Sequence, residues 1–197
     1  MAPHAVLEEI GAPHELVLVD IDKGEHRGAA YLEINPHGRV PTLVHGDLVM
    51  YEAAAIVMHL CERHPEAKLA PPPASLQRGL YLQRLTYLTN TVQEALMSWH
   101  HADYYAADDA CRAAVKAQSA VRLDRMWRFL DGALAGGPYL LGTSFSAPDI
   151  YLAMLARWTR NMPTPAVSHA NVRRCVELVR ARPAFQRMMQ AEGIAWA

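Results

Sequence analysis

Asn35-Pro36-His37-Gly38-Arg39-Val40-Pro41-Thr42-Leu43-Val44, with Tyr51-Glu52-Ala53-Ala54-Ala55-Ile56 shortly after it, is the stretch around which the chain is organised. Asn-Pro and the following glycine mark a turn. Pro41 then opens an apolar run, and a proline there donates no ladder hydrogen bond, so Val40-Pro41 belongs at an edge or a bend. Were the bond cis, the N–H and C=O of Val40 would turn outward, free to pair with a short extended peptide as another strand would. The second half reads as strand end, acidic residue and helix start. A helix N-terminus offers free N–H groups and a positive dipole end to a carboxylate. Together the two halves point to a site that grips a small peptide by its backbone and its carboxylate, against the plain alternative of a turn that only enters a strand.

The chain of 197 residues has room for one large domain or two small ones, and its 51% hydrophobic content supports a full core. A net charge of −1 without a basic block argues against nucleic acid. The apolar runs are far too short to span a membrane, so no membrane partner is expected. The first residues, Met1 to Glu9, have neither the basic region nor the apolar core of a signal peptide. Cys61, Cys111 and Cys175 lie far apart without CxxC spacing, which fits free thiols in a reducing compartment; a cytoplasmic protein is expected.

Along the chain, residues 2–10 predict a helix with Val6, Leu7 and Ile10 on one side and Gly11 at its stop. Leu16 to Ile21 is an apolar, β-branched run that reads as a strand. Tyr31–Ile34 reads as a helical turn. Thr42-Leu43-Val44 and Leu48-Val49-Met50 flank His45-Gly46-Asp47 as a hairpin, and a helix follows over 52–64 with Ile56, Val57 and Leu60 inward. The proline-rich connector Leu69–Ser75 ends the α/β part. Beyond it, Leu85, Leu88, Val92, Leu96 and Trp99 predict one long amphipathic helix, and Val115, Leu123, Met126, Leu130 and Leu134 a second, ended by Gly136-Gly137-Pro138. Ser146 and Asp149 have the spacing of a capping box, with Phe145 and Ile150 as its staple and Pro148 in the first turn; both are read as structural. Helices near 171–180 and 183–190 close the chain.

The central stretch resembles the NPxGxVPxL … E[ST]xAI signature of the glutathione S-transferase family. The likeness continues through Phe145-Ser146-Ala147-Pro148-Asp149-Ile150 and Arg182-Pro183-Ala184-Phe185, in family order over nearly the whole chain. It implies an α/β plus all-α fold: a thioredoxin-like domain over 1–68, a linker at 69–76 and an all-helical domain over 77–197. It implies attack of glutathione thiolate on a small apolar electrophile in a homodimer, with glutathione as co-substrate and no other cofactor. Val40 with cis Pro41 would hold the cysteinyl backbone, and Glu52 with the Ala53 N–H the γ-glutamyl end. His37 and Arg39 flank the loop and would meet the glycine carboxylate, or are simply exposed. Trp99, Tyr104 and Tyr105, with Met97, match the helix that walls the co-substrate pocket in the family; ordinary helix–helix core is the alternative for Met97 and Trp99.

Two departures stand out. Family members begin with a strand carrying Tyr, Ser or Cys just after it for the thiolate. Here Met1-Ala2-Pro3-His4 aligns with the start of the first helix, so the strand and the catalytic position are both expected to be missing. That strand is central in the family, so the expectation is a three-stranded remnant in which 16–21 pairs anew, is borrowed by a partner chain or is poorly ordered. The alternative is an artificial start of the chain, with a normal enzyme in nature. Ala53, in turn, replaces the Ser or Thr whose hydroxyl holds the γ-glutamyl carboxylate. Both departures favour weakened chemistry or a non-catalytic binding relative. No residue is singled out for the thiolate; His4 is considered as a proton acceptor beside a helix-start histidine of no such role. Ten histidines include His100-His101-x-Asp103, but no HxxxH or HExxH spacing exists, and no metal site is expected.

Overall fold

The computed structural model describes residues 1–196. Helix α1 (Ala2–Ile10) starts with Pro3 in its first turn and stops at Gly11, whose φ of +72° lets its N–H reach the Leu7 carbonyl at 2.9 Å. Residues 12–20 then run extended along the surface. Val17 is 72% and Leu18 60% exposed, and among the described residues no backbone group from 13 to 19 makes a hydrogen bond. The expected three-stranded remnant is therefore corrected: the sheet has two strands, β1 (Thr42–His45) and β2 (Leu48–Tyr51), paired antiparallel. The run 16–21 has strand composition, but a strand forms only against a lateral neighbour that takes up its N–H and C=O groups. Without one, it stays extended and solvent-facing.

The short helix α2 (Ala29–Ile34) precedes the sheet and α3 (Ala53–Arg63) follows it, burying Ile56, Val57 and Leu60 as their spacing requires. Past the proline run, α4 (Leu76–Tyr87) is capped by Ser75, whose Oγ accepts the Gln77 N–H at 3.2 Å. It continues through one π-helical turn, Leu88–Gln93, into α5 (Glu94–His100). Leu85, Leu88, Val92 and Leu96 are all buried, so the predicted amphipathic face exists, but the π turn within it is not legible from periodicity. Helix α6 (Asp109–Ala133) follows, then α7 (Ala147–Trp158), α8 (Ala170–Arg180) and α9 (Pro183–Ala191).

Helix α7 is apolar on every side, and each residue from Ala147 to Ala156 is buried, the pattern of a helix at the centre of a core. Its own Tyr151 and, around it, Trp127, Tyr81 and Phe185 are each at most 1% exposed. Its start is held by Asp149, which accepts the Ser146 N–H at 2.8 Å, the Ser146 hydroxyl at 3.0 Å and the Leu140 N–H at 2.7 Å. Full burial pushes this carboxyl up to about 6 against the pull of those hydrogen bonds. The connector is tied to the same point, because the Leu69 carbonyl accepts the Ala147 N–H at 2.9 Å. Helix α1 packs against α3 on one side and against α7 and α9 on the other, so it forms the seam between the sheet-bearing part and the helices. No helix among the described residues is long and apolar enough to cross a membrane.

Candidate functional site

The loop before β1 is stitched from inside. Asn35 is buried; its amide donates to the Arg39 carbonyl at 2.7 Å and to Thr42 Oγ1 at 3.1 Å, and its carbonyl accepts the His37 N–H at 3.1 Å. The Tyr31 hydroxyl reaches the same Arg39 carbonyl at 2.9 Å and lies 2.8 Å from Thr42 Oγ1. Gly38 has a φ of +57°, and a Cβ there would lie 3.0 Å from the His26 carbonyl and 3.2 Å from Leu32, so the turn has no room for a side chain. These contacts pin both ends of the Arg39–Thr42 segment. Between them the Val40–Pro41 bond is cis, and the Val40 N–H and C=O make no hydrogen bond among the described residues.

The hairpin register brings the second half of the motif alongside. Its last pair is Thr42↔Tyr51, so Pro41 and Glu52 are next in line on the two strands, side by side at the open end of the ladder. Glu52 sits immediately before α3 with φ +70° and ψ +104°, a conformation that a residue with a Cβ adopts at a cost of about 1–3 kcal/mol. Its carbonyl accepts the Ile56 N–H at 3.0 Å, so the N–H groups of Ala53, Ala54 and Ala55 remain the free donors of the helix start. A free extended backbone and a strained, acid-bearing helix N-terminus thus face one another across two strands.

Glu52 also lies on a cleft of about 320 Å³ between α3 and the helices. Ala54, Ala55 and Met58 line one wall, and Leu85, Thr86, Thr89, Asn90, Gln93 and Tyr151 the other. The Tyr151 hydroxyl donates to Gln93 Oε1 at 2.6 Å. Burial first, then the nearby charge of Glu52, raises the Tyr151 phenol well above its ordinary value. Thr86, Thr89, Asn90 and Gln93 stand at i, i+3, i+4 and i+7, so one face of this helical stretch supplies the wall. Sequence reading misses that wall and Tyr151 altogether, since no local pattern records which helix face lies across from α3.

Other candidates lie elsewhere. His37 is exposed and packs its ring 5.0 Å from that of Tyr51, and Arg39 is exposed on the loop. Trp99, Tyr104 and Tyr105 are not among the residues lining the Glu52 cleft. Tyr104 stacks on His101 at 5.0 Å, Trp99 meets His100 edge to face, and Tyr104 and Tyr105 are more than half exposed. A second, charged cleft of about 370 Å³ lies beside them, lined by His100, Asp103, Asp109, Arg112 and Lys116 among others. His100 spends Nε2 on the Trp158 carbonyl at 3.0 Å while His101 stacks, so the pair does not converge with Asp103 on one point. His4 is 7% exposed, and its Nδ1 lies 2.9 Å from Glu192, just past the end of α9. Cys61 is buried, which pushes its thiol up to about 11 and removes it as a thiolate source.

Comparison with known proteins agrees with the geometry. The chain matches the glutathione S-transferase N-terminal domain over residues 2–68 and the glutathione S-transferase C-terminal domain over residues 113–189. It is 26% identical over 196 residues to glutathione S-transferase GstA of Escherichia coli O157:H7, covering 98% of this chain and 94% of that one. It is similar in structure to a glutathione transferase from Methylococcus capsulatus str. Bath, with 30% identity, a TM-score of 0.86 and coverage of 98% and 94% of the two chains. A sphingomonad glutathione S-transferase complexed with glutathione gives 30% identity, a TM-score of 0.84 and the same coverages. With a two-stranded remnant of the thioredoxin-like sheet at its N-terminal end and helices throughout the remainder, the chain belongs to the glutathione S-transferase family.

Proposed function

We propose that this protein binds glutathione and conjugates its thiolate to small apolar electrophiles. The observation that carries the reading is the juxtaposition of the unpaired Val40 backbone at cis Pro41 with Glu52 and the free N–H groups of α3. Val40 pairs with the cysteinyl backbone, the Glu52 carboxylate meets the γ-glutamyl ammonium, and the Ala53 N–H meets the carboxylate beside it. His37 and Arg39 lie on the rim for the glycine carboxylate. In the reaction, the glutathione sulfur forms a bond to the electrophilic carbon and the leaving group departs with the electron pair. The protein's part is to hold the thiolate beside that carbon. The reading includes a two-fold dimer in the cytoplasm.

A second reading, binding without turnover, is favoured by Ala53, which keeps the backbone donor and lacks a hydroxyl, and by the segment 13–19, whose backbone makes no hydrogen bond among the described residues. Calorimetry with glutathione, run beside conjugation of a generic aromatic halide on the same sample, separates the two. Binding with turnover supports transfer, and binding without turnover supports the second reading. No binding overturns both.

A further inference from the structure

The turn after α1 folds the chain back over the helix, and three side chains meet there. His4 and Glu8 stand one helical turn apart on the same face of α1. Nε2 of His4 lies 3.7 Å from Glu8 Oε1, and Nε2 of His14 lies 3.8 Å from that same oxygen. The three atoms fall within 4.8 Å of one another. The hydrogen bonds on the far side of each ring set the tautomers. His14 Nδ1 is 2.9 Å from the Ala12 carbonyl, which only accepts, so Nδ1 carries the proton. His4 Nδ1 is 2.9 Å from Glu192 Oε1, again an acceptor. In the neutral rings both Nε2 atoms therefore turn lone pairs toward a carboxylate oxygen. Three acceptors face one point with no donor among them, an arrangement that calls for a cation.

We propose that His4 Nε2, Glu8 Oε1 and His14 Nε2 bind a divalent transition-metal ion of the zinc type, with water completing its coordination. Two imidazoles and one carboxylate are a donor set that zinc accepts. Bonds of about 2.0–2.1 Å in a tetrahedron space the ligands about 3.3 Å apart, so the His–Glu separations close by roughly half an ångström and the two imidazole nitrogens, within 4.8 Å of one another, by up to about 1.5 Å through side-chain rotation, chiefly of the more exposed His14. The supporting contacts are already in place. Glu192 and the Ala12 carbonyl orient the two rings, and Arg187, donating to Glu8 Oε2 at 2.6 Å, fixes the carboxylate while leaving Oε1 free. His4 is buried, whereas the His14 side chain is 21% exposed and offers the way in. The site shares no residue with the Glu52 cleft. It ties α1, the loop after it and, through Glu192, α9. Spacing alone does not reveal it, since the third ligand arrives only because Gly11 reverses the chain.

The test is zinc titration of the metal-stripped, tag-free chain at pH 7.5, by competition with a chromophoric chelator. The expected result is one ion per chain, with affinity lost about a hundredfold or more in His14→Ala and weakened about 10–100-fold in Glu192→Gln. Saturating zinc also raises the thermal midpoint of the native chain by several degrees and leaves that of His14→Ala unchanged. His14 lies on the surface loop, so its variant folds, which circular dichroism checks. No stoichiometric uptake, or uptake of equal strength in His14→Ala, overturns the proposal.

Discussion

Arg182, immediately before α9, grips Glu9 on α1 through two parallel hydrogen bonds, Nε to Oε1 at 2.6 Å and Nη2 to Oε2 at 2.7 Å. The same guanidinium lies 3.8 Å from the centre of the Phe145 ring, so one residue joins the first helix, the entry to α7 and the last helix. The Glu9 side chain is only 9% exposed, which sets this pair apart from the surface ion pairs of the molecule. Replacing Glu9 by Ala leaves the guanidinium without its partner at the seam. The expected cost is about 2 kcal/mol by denaturant unfolding, with about 1–2 kcal/mol of coupling in a double-mutant cycle with Arg182→Ala. Additive single effects refute the joint.

Glu52 is held in a backbone conformation that glycine adopts without penalty. Glu52→Gly is therefore expected to stabilise the fold by about 1 kcal/mol while weakening glutathione binding by tenfold or more, because a charged hydrogen bond is lost. Thermal unfolding and calorimetry on one preparation read both effects. Loss of stability counts against strain at Glu52, and unchanged affinity counts against Glu52 as a binding residue.

Ala53 lies at the first position of α3, beside Glu52, with its N–H free. Ala53→Ser adds a hydroxyl at that place, and the expected gain is about 1 kcal/mol in glutathione binding, or roughly fivefold in Kd. An unchanged Kd means that the γ-glutamyl end does not reach the helix start.

Asp149 gives the stability of the protein a pH dependence of definite sign. Its carboxyl is pushed up to about 6 from an ordinary 3.8, so between these values the folded chain holds the proton more tightly than the unfolded one. The contribution is whole below the ordinary value and is lost as pH rises through about 6. Asp149→Ala strands the N–H groups of Leu140 and Ser146, and is expected to cost about 2–4 kcal/mol near pH 4. The gap between native and variant is expected to narrow by up to about 3 kcal/mol from pH 4 to pH 7. A gap that widens over that range would falsify the assignment.

Residues 13–19 make no backbone hydrogen bond among the described residues. Their amides, other than that of Pro13, are expected to exchange with solvent at close to unstructured rates, while those of Val6 and Leu152 stay protected. Slow exchange confined to 14–19 would show that another chain covers this edge.

Much of the fold is legible locally. Gly11 ends α1, Ser75 and Ser146 start α4 and α7, and the Asn35–Thr42 loop and its hairpin lie where their turn residues place them. Such signals act within a few residues, which is why they survive without tertiary information. The run 16–21 shows the limit: its composition matches that of a strand, yet pairing depends on a neighbour that composition does not contain. The candidate site divides in the same way. Val40, Pro41 and Glu52 are legible because one hairpin links them, whereas Tyr151 reaches the cleft from a helix a hundred residues further along.

The sequence by itself determined most of the helices, the two-stranded hairpin, the Asn35–Glu52 motif and the family. Each is written in short-range periodicity or in motifs that keep their order. The tertiary structure alone decided which groups meet across the chain. It set Tyr151 beside Glu52, and His4 against Glu192, 188 positions away. It brought His14 over Glu8 and left 16–21 without a neighbouring strand among the described residues. Long-range contacts of this kind follow from which faces the core buries together, and no local pattern records that choice.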